Sequence, residues 1–275
     1  MSFKGQYKDV LSSFSIQHKC SPYFGTWNCR GSQVFTTAAE YIADENLAHV
    51  YTPDLRGHGD YAARRGDIDY LGQHDDDLME LIDKIKSTHG DTKLIMGGHS
   101  AGGGTSLRML THKYDQYISG YLLLAPFVHF MAPIMKKSKG ETESNNKAHM
   151  GTMIKLMIFN GFWMKKWNHQ TVLSVNHIES DNPSKLNFLS YRLFMSRLPR
   201  NYKKSLRSIK KPTLVLVGDK DEEFEHTAYE PLFSKHTQGA RVKTIDNATH
   251  DGLLSNADSF EAIKEWIADM KEKDI

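Results

Sequence analysis

Cysteine is almost missing from this chain of 275 residues; Cys20 and Cys29 are the only two. Two thiols cannot staple a small disulfide scaffold, and their spacing is not that of a zinc site, so a pair of free thiols is expected. Long apolar runs are also missing. No stretch approaches the roughly 20 apolar residues that cross a bilayer. The opening MSFKGQYKDV lacks the apolar run of a secretory signal, and the expected location is the cytoplasm, with any membrane association confined to a surface. There is no surplus of one charge: 35 basic residues face 33 acidic ones, for a net +2. No recognised nucleic-acid motif accompanies that balance, which argues against a nucleic-acid partner. Repeats and low-complexity tracts are absent too. With 39% hydrophobic and 25% charged residues, the composition is that of one large globular domain carrying an insertion.

What is there is an alternation. Strand-like runs exchange with helix-like runs, the pattern of a mostly parallel sheet covered by helices. Helices are expected over Phe35–Leu47, His74–His89, Ala101–Lys113 and about Asp258–Met270. In the second, Leu78, Leu81, Ile82 and Ile85 keep the helical period. Strands are expected at His49–Thr52, Lys93–Gly97, Gly120–Ala125, Thr213–Gly218 and Arg241–Ile245. Residues 127–210 interrupt this rhythm and are far too long for an ordinary connection. They hold seven of the twelve methionines and two of the four tryptophans, with 15 basic against 4 acidic residues. A basic, apolar insertion of +11 thus interrupts a body that carries the opposite sign.

Chemistry gathers at Gly98-His99-Ser100-Ala101-Gly102. The run follows a strand and opens a helix, the context in which a G-x-S-x-G sequence makes a nucleophile elbow. Glycines suit the strained turn and the close packing of helix on strand. The helix N-terminus directs amides and positive potential at the site. An unassisted serine is a weak nucleophile and needs a base with a group to orient it. His250, in the loop Asn247–Gly252 between the last strand and the last helix, is the candidate base. His226 and His236 fall in a helical stretch instead. The orienting carboxylate is expected after the strand Thr213–Gly218: Asp221 first, Asp219 as the alternative. Either aspartate could equally bind turn amides.

GHSAGG, PDLRGHGD, PTLVLVGDKD and the histidine loop, in this order, resemble the α/β-hydrolase superfamily. The branch they resemble most is that of monoacylglycerol lipases, lysophospholipases and related serine esterases. The resemblance runs from about Phe35 to the C-terminus. It implies an α/β-hydrolase fold with a core of 1–126 and 211–275 and a helical cap, 127–210, between the sixth and seventh strands. It implies Ser100, Asp221 and His250 as the triad, with the Ala101 amide in the oxyanion hole. It also implies a structural role for Asp54 and Gly57-His58-Gly59 below the site. The mechanism needs no metal and no organic cofactor.

The N-terminal stretch departs from the family pattern. The His-Gly turn that carries the second oxyanion donor is missing. His18-Lys19 and Phe24–Trp27 are imperfect substitutes, so the second donor is unassigned and the opening strands are expected to be shortened or atypical. In the cap, Met131, Met135, Met150, Met153, Met157, Phe159, Phe162, Trp163 and Trp167 suit either a flexible acyl slot or the packing of the cap's own helices. His99, Met153, Met157 and Phe162 are the candidate substrate contacts. Lys136, Lys137, Lys165, Lys166, Lys203 and Lys204 suit contact with an anionic membrane surface, or simply a solvated face. The expected activity is hydrolysis of a carboxylic ester, probed first with lipid-like monoacylglycerol or lysophospholipid substrates. The alternatives are a ligand-binding protein that kept the fold, and a peptidase or thioesterase.

Overall fold

A computed structural model describes residues 23–27, 36–58, 62–136, 146–175 and 186–272. Cys20, Cys29, His18-Lys19, Gly59 and Lys137 lie outside the described residues.

The expected alternation is present. In chain order the elements are β1 (Tyr23–Trp27), α1 (Thr36–Asp44), β2 (His49–Tyr51), α2 (Gln73–His89), β3 (Leu94–His99), α3 (Ala101–Met109) and β4 (Ile118–Leu124). The chain then passes through β5 (Asn146–Ala148), α4 (Met150–Gly161), β6 (Thr171–Val175), β7 (Phe188–Ser190), α5 (Tyr191–Ser196) and α6 (Tyr202–Arg207). It returns with β8 (Thr213–Gly218), α7 (Tyr229–His236), β9 (Ala240–Ile245) and α8 (Ala257–Glu272). Six strands form one sheet in the order β2-β1-β3-β4-β8-β9, and every pairing in it is parallel.

A parallel sheet is covered on both faces, so its central strands read as continuous apolar runs. LIMGGH in β3 and TLVLVG in β8 are buried at every position. Successive side chains then serve opposite sides. Leu123, Val215 and Val217 join one core cluster with Leu78, Leu81, Ile82 and Ile85 of α2 and Phe233 of α7. Leu122, Leu124, Leu214 and Leu216 join the other, with Ile42 of α1 and Ile263, Trp266 and Ile267 of α8.

Two expectations are corrected. Phe24–Trp27 is no turn: Tyr23–Trp27 is a strand, paired on one side with β2 and on the other with β3. Aromatic and β-branched residues in YFGTW favour extended backbone. The stretch that follows it, 28–35, lies outside the described residues. The segment between β4 and β8 is also not wholly helical. β5, β6 and β7 make a small antiparallel sheet, and Thr171–Val175 supplies its centre because three of its five residues are β-branched. The segment has its own apolar cluster, which includes Met153, Leu156, Val172, Leu189, Leu193 and Phe194. Arg192 ties it to the body by donating to the Asp67 carboxylate at 2.7 Å and to the Asp69 carbonyl at 2.6 Å.

The loop after β2 is pinned, as a structural role requires. Arg56 makes a two-pronged bond to Asp77 of α2. The Arg56 carbonyl accepts from His74 Nε2 at 2.7 Å and from His58 Nδ1 at 3.3 Å. Both imidazoles are buried, with ring centroids 5.7 Å apart. Burial pushes His58 well below the ordinary histidine range, with His74 and Arg197 adding repulsion. Burial also lowers His74, against the opposing pull of the Arg56 carbonyl and Asp77.

Neutral histidines in the folded chain and titrating ones in the unfolded chain make stability rise with pH wherever the unfolded state binds more protons. Both shifts are downward, so this stability is complete above about pH 6.5. It falls as the pH drops below that value, by at most about 1.4 kcal/mol per pH unit for each histidine, and levels off once the folded-state imidazole also takes up its proton. Denaturation midpoints measured from pH 7.5 to 5 should show this slope. His58→Asn, whose amide nitrogen can keep the bond to the Arg56 carbonyl, should remove about one histidine's share. An unchanged slope would show that His58 is not one of the groups responsible.

Candidate active site

The site begins at the end of β3. Ser100 has φ 53° and ψ −119°, a backbone conformation that non-glycine residues rarely hold. Its amide donates to the Leu124 carbonyl at 2.9 Å, and its own carbonyl accepts from Phe127 at 2.8 Å and from Gly104 at 3.2 Å. The turn is therefore tied to the neighbouring strand and to the helix behind it. Strand and helix approach so closely that a Cβ on Gly98 would lie 2.3 Å from the Gly102 carbonyl carbon. A Cβ on Gly103 would lie 2.6 Å from Pro126. The first glycine of the G-x-S-x-G pattern, and Gly103 just beyond it, are thus packing requirements here. Ala101 opens α3, and amides in the first turn of a helix have no acceptor within it.

The candidate acid and the candidate base come from adjacent loops. Asp221, 3% exposed, follows β8. Its Oδ1 accepts from the amides of Glu223 and Phe224, both at 2.8 Å. Its Oδ2 accepts from His250 Nδ1 at 2.9 Å. Burial pushes this carboxyl up, but the His250 bond, the His250 charge and the two amides outweigh it and hold the group below its ordinary range. Asp219 is not the partner; its nearest cation is Lys220, at 3.5 Å, and its amide pairs with the Ile245 carbonyl. Of the two aspartates, Asp221 is the one bonded to His250.

A carboxylate only accepts, so Nδ1 of His250 carries a proton, and in the neutral ring the lone pair is on Nε2. The imidazole is 2% exposed. It is packed edge-on against Phe224 at 5.2 Å between centroids and lies 4.5 Å from the ring of His99. The backbone of His250 is held as well. Its carbonyl accepts from His99 Nε2 at 2.9 Å, and its amide donates to Glu222 Oε2 at 2.9 Å. His99 directly precedes the serine, so this bond joins the serine's turn to the histidine's loop. No hydrogen bond joins the Ser100 hydroxyl to His250 among the described residues. Contacts of this kind often close only around substrate.

His99, His250 and Asp251 bring one potential metal-ligand atom each within 4.8 Å of one another. His250 Nδ1 and His99 Nε2 are engaged in the bonds just described, so only the other nitrogen of each ring could serve as a ligand.

The cap candidates fall elsewhere. Met153 is buried in the segment's own apolar cluster, which accounts for it without a ligand. Met157 is 39% exposed and Phe162 is 72% exposed. Two surface hollows, of about 530 and 370 Å³, are lined by residues such as His112, Lys113 and Lys211 in one and Pro212, Trp266 and Met270 in the other. Ser100, Asp221 and His250 line neither.

Sequence reasoning missed three supports. Glu222 was visible only as part of an acidic run, and nothing in that run says which carboxylate meets which amide. Phe224 packs on the imidazole, although an isolated aromatic carries no such signal. Lys136 Nζ donates to the Asp221 carbonyl at 2.6 Å, a contact across 85 residues that no local pattern shows.

A buried parallel sheet, a strained serine between strand and helix, and an Asp–His pair from the next loops define an α/β-hydrolase fold. The chain matches the family model described as "Serine aminopeptidase, S33" over residues 29–256, and it belongs to that family. No curated protein sequence matches it. Among solved structures, it is similar to a soluble variant of monoglyceride lipase from Saccharomyces cerevisiae bound to a substrate analog. The TM-score there is 0.64 at 17% identity, covering 92% of this chain and 88% of that one. It is also similar to a monoacylglycerol lipase from Paleococcus ferrophilus, with a TM-score of 0.60 at 19% identity over 90% and 96% of the two chains. A third is Est1E from Butyrivibrio proteoclasticus with ferulic acid bound, with a TM-score of 0.59 at 16% identity over 94% and 90%. At these identities the likeness is one of fold.

Gly98→Ala should cost at least about 3 kcal/mol, the upper end for overpacking, because the obstacle is backbone and cannot rotate away. Urea denaturation beside a surface control such as Gly151→Ala, where a Cβ would meet nothing within 4 Å, measures it. A loss under about 1 kcal/mol would show that helix and strand can separate freely.

Proposed function

We propose that this protein is a serine esterase that cleaves carboxylic esters of lipid type, such as monoacylglycerols or lysophospholipids, through an acyl-enzyme on Ser100. The observation that carries the reading is the buried bond between Asp221 and His250 beside a serine held at positive φ. His250 Nε2 takes the Ser100 proton as Oγ attacks the ester carbonyl carbon. Negative charge collects on the carbonyl oxygen, where the Ala101 amide at the head of α3 donates. The imidazolium then protonates the departing alcohol, and the acyl group remains on Oγ. Water, deprotonated by the same imidazole, releases the acid and restores the serine. Asp221 fixes the tautomer and stabilises the cation. Residues 1–126 and 211–275 form the catalytic body in this reading, and 127–210 cap it.

Nitrophenyl esters of increasing chain length measure the activity and its preference. Ser100→Ala should abolish turnover and labelling by a fluorophosphonate. Asp221→Asn should lower kcat on the order of 10³- to 10⁴-fold. Equal turnover by wild type and Ser100→Ala would remove the assignment. A folded protein that never labels would instead be a binder on a hydrolase fold. The family description makes peptide bonds the competing substrates, and aminoacyl anilides in the same series separate the two.

A second reading concerns the surface of the cap. Ile154 and Ile158 of α4 are each more than half exposed, and Phe162 and Trp163 after it are 72% and 82% exposed. Lys165 lies over the Trp163 ring at 5.4 Å. Large apolar side chains with a basic collar suit the boundary of an anionic bilayer, and we infer that the cap rests there to collect substrate. Sedimentation with phosphatidylserine vesicles should exceed that with phosphatidylcholine, and Trp163→Asp should weaken it at least about tenfold. Equal recovery of wild type and variant would argue against this surface.

A further inference from the structure

We propose that Glu222 is a positioning residue for the base, acting through the backbone of His250 rather than through its ring; the proposal rests on the esterase reading above. Four links join the loop after β8 to the loop after β9. Two are backbone bonds: Asp219 N to Ile245 O and Lys220 N to Ala248 O, both 3.1 Å. The third is the imidazole bond to Asp221. The fourth is the carboxylate of Glu222, which accepts the amide of His250 itself at 2.9 Å.

These links differ in what they hold. The backbone bonds end at Ala248, two residues short of the base. Asp221 restrains the ring but leaves the main chain of residue 250 to swing about it. His99 restrains the carbonyl from the serine's side. Glu222 alone among the described residues takes the amide of His250, and with it the residue is held at amide, carbonyl and ring. That fixes the direction in which Nε2 points. A catalytic group displaced by about 1 Å can lose on the order of 100-fold in rate, so a restraint on this amide acts on the chemical step. Glu222 otherwise faces solvent, and the core does not depend on it.

The assignment makes a specific demand: the amide needs an acceptor, and charge is secondary. Glu222→Gln keeps an acceptor oxygen at the same reach and should retain kcat within about threefold. Glu222→Ala leaves the amide without its partner and should lower kcat on the order of tenfold, with KM held within about twofold. A group acting only on the transition state shows that split. Hydrogen exchange over residues 246–252, followed by mass spectrometry, reads the restraint without reference to turnover. Exchange there should quicken at least about fivefold in Glu222→Ala and stay near wild type in Glu222→Gln.

If Glu222→Ala matches wild type in both kcat and exchange, the backbone bonds at Asp219 and Lys220 suffice and the proposal is overturned. If Glu222→Gln behaves like the alanine variant, charge rather than the acceptor is at work, and the proposal is likewise overturned. Ser100→Ala is run in parallel. Turnover equal to wild type there would remove the esterase reading, while the exchange measurement would still decide whether Glu222 holds the loop.

Discussion

Everything at this site depends on a close approach: the end of β3 and the start of α3 meet with no room for a side chain between them. Ser100 has a backbone that costs about 1–3 kcal/mol relative to an ordinary one, and it persists because its surroundings leave no alternative. The Leu124 carbonyl fixes the amide, and the amides of Phe127 and Gly104 fix the carbonyl. Ala125, at the end of the neighbouring strand, also sits at positive φ, 41°. Two adjacent strands therefore both turn sharply at the same edge of the sheet, and Ser100 and Phe127 are bonded across the gap. Relaxing the serine would break that bond and open the floor of the site.

The second constraint is the pairing of two loops by adjacent carboxylates. Asp221 is buried, which by itself raises the cost of its charge. Two amides and the imidazole more than compensate, and the carboxyl stays ionised well into acid. An ionised Asp221 can only accept, which leaves His250 with one tautomer. The tautomer of His250 is thus decided 29 residues away in the chain, by the turn Asp221–Phe224. That turn is in turn closed by residues of the inserted segment. The Ile134 carbonyl accepts from Glu225 at 2.8 Å, and Lys136 binds the Asp221 carbonyl.

Much of this was legible in the sequence. The parallel sheet follows from apolar runs such as TLVLVG, and the elbow from a G-x-S-x-G placed between a strand and a helix. Order along the chain points to His250 among fourteen histidines, and its ring is the one bonded to Asp221. What could not be read has physical causes. β1 was missed because YFGTW is short and sits amid residues that carry turn signals. The choice between Asp219 and Asp221 depends on which side chain faces the neighbouring loop, a matter of turn geometry invisible to composition. The small sheet of residues 127–210 was hidden because its strands are only three to five residues long and TVLSV lacks a regular apolar–polar alternation. Glu222 and Lys136 act through contacts 28 and 85 residues away in the chain, and no local pattern predicts a partner at such distance.

These long contacts also explain why the insertion is more than a cover. Phe194 in α5 meets Phe127 edge-on at 6.2 Å, Phe127 stacks on Phe224 at 5.6 Å, and Phe224 meets the His250 ring at 5.2 Å. Phe127 is also the residue whose amide holds the Ser100 carbonyl. One aromatic residue therefore supports both, holding Ser100 through its amide and the His250 loop through its ring. Close-packed rings do not slide independently, so a shift of α5 has a contact path to both groups. Residues 127–210 are thus packed into the support of Ser100 and His250, through Phe127 and Phe194 on one side and Lys136 on the other.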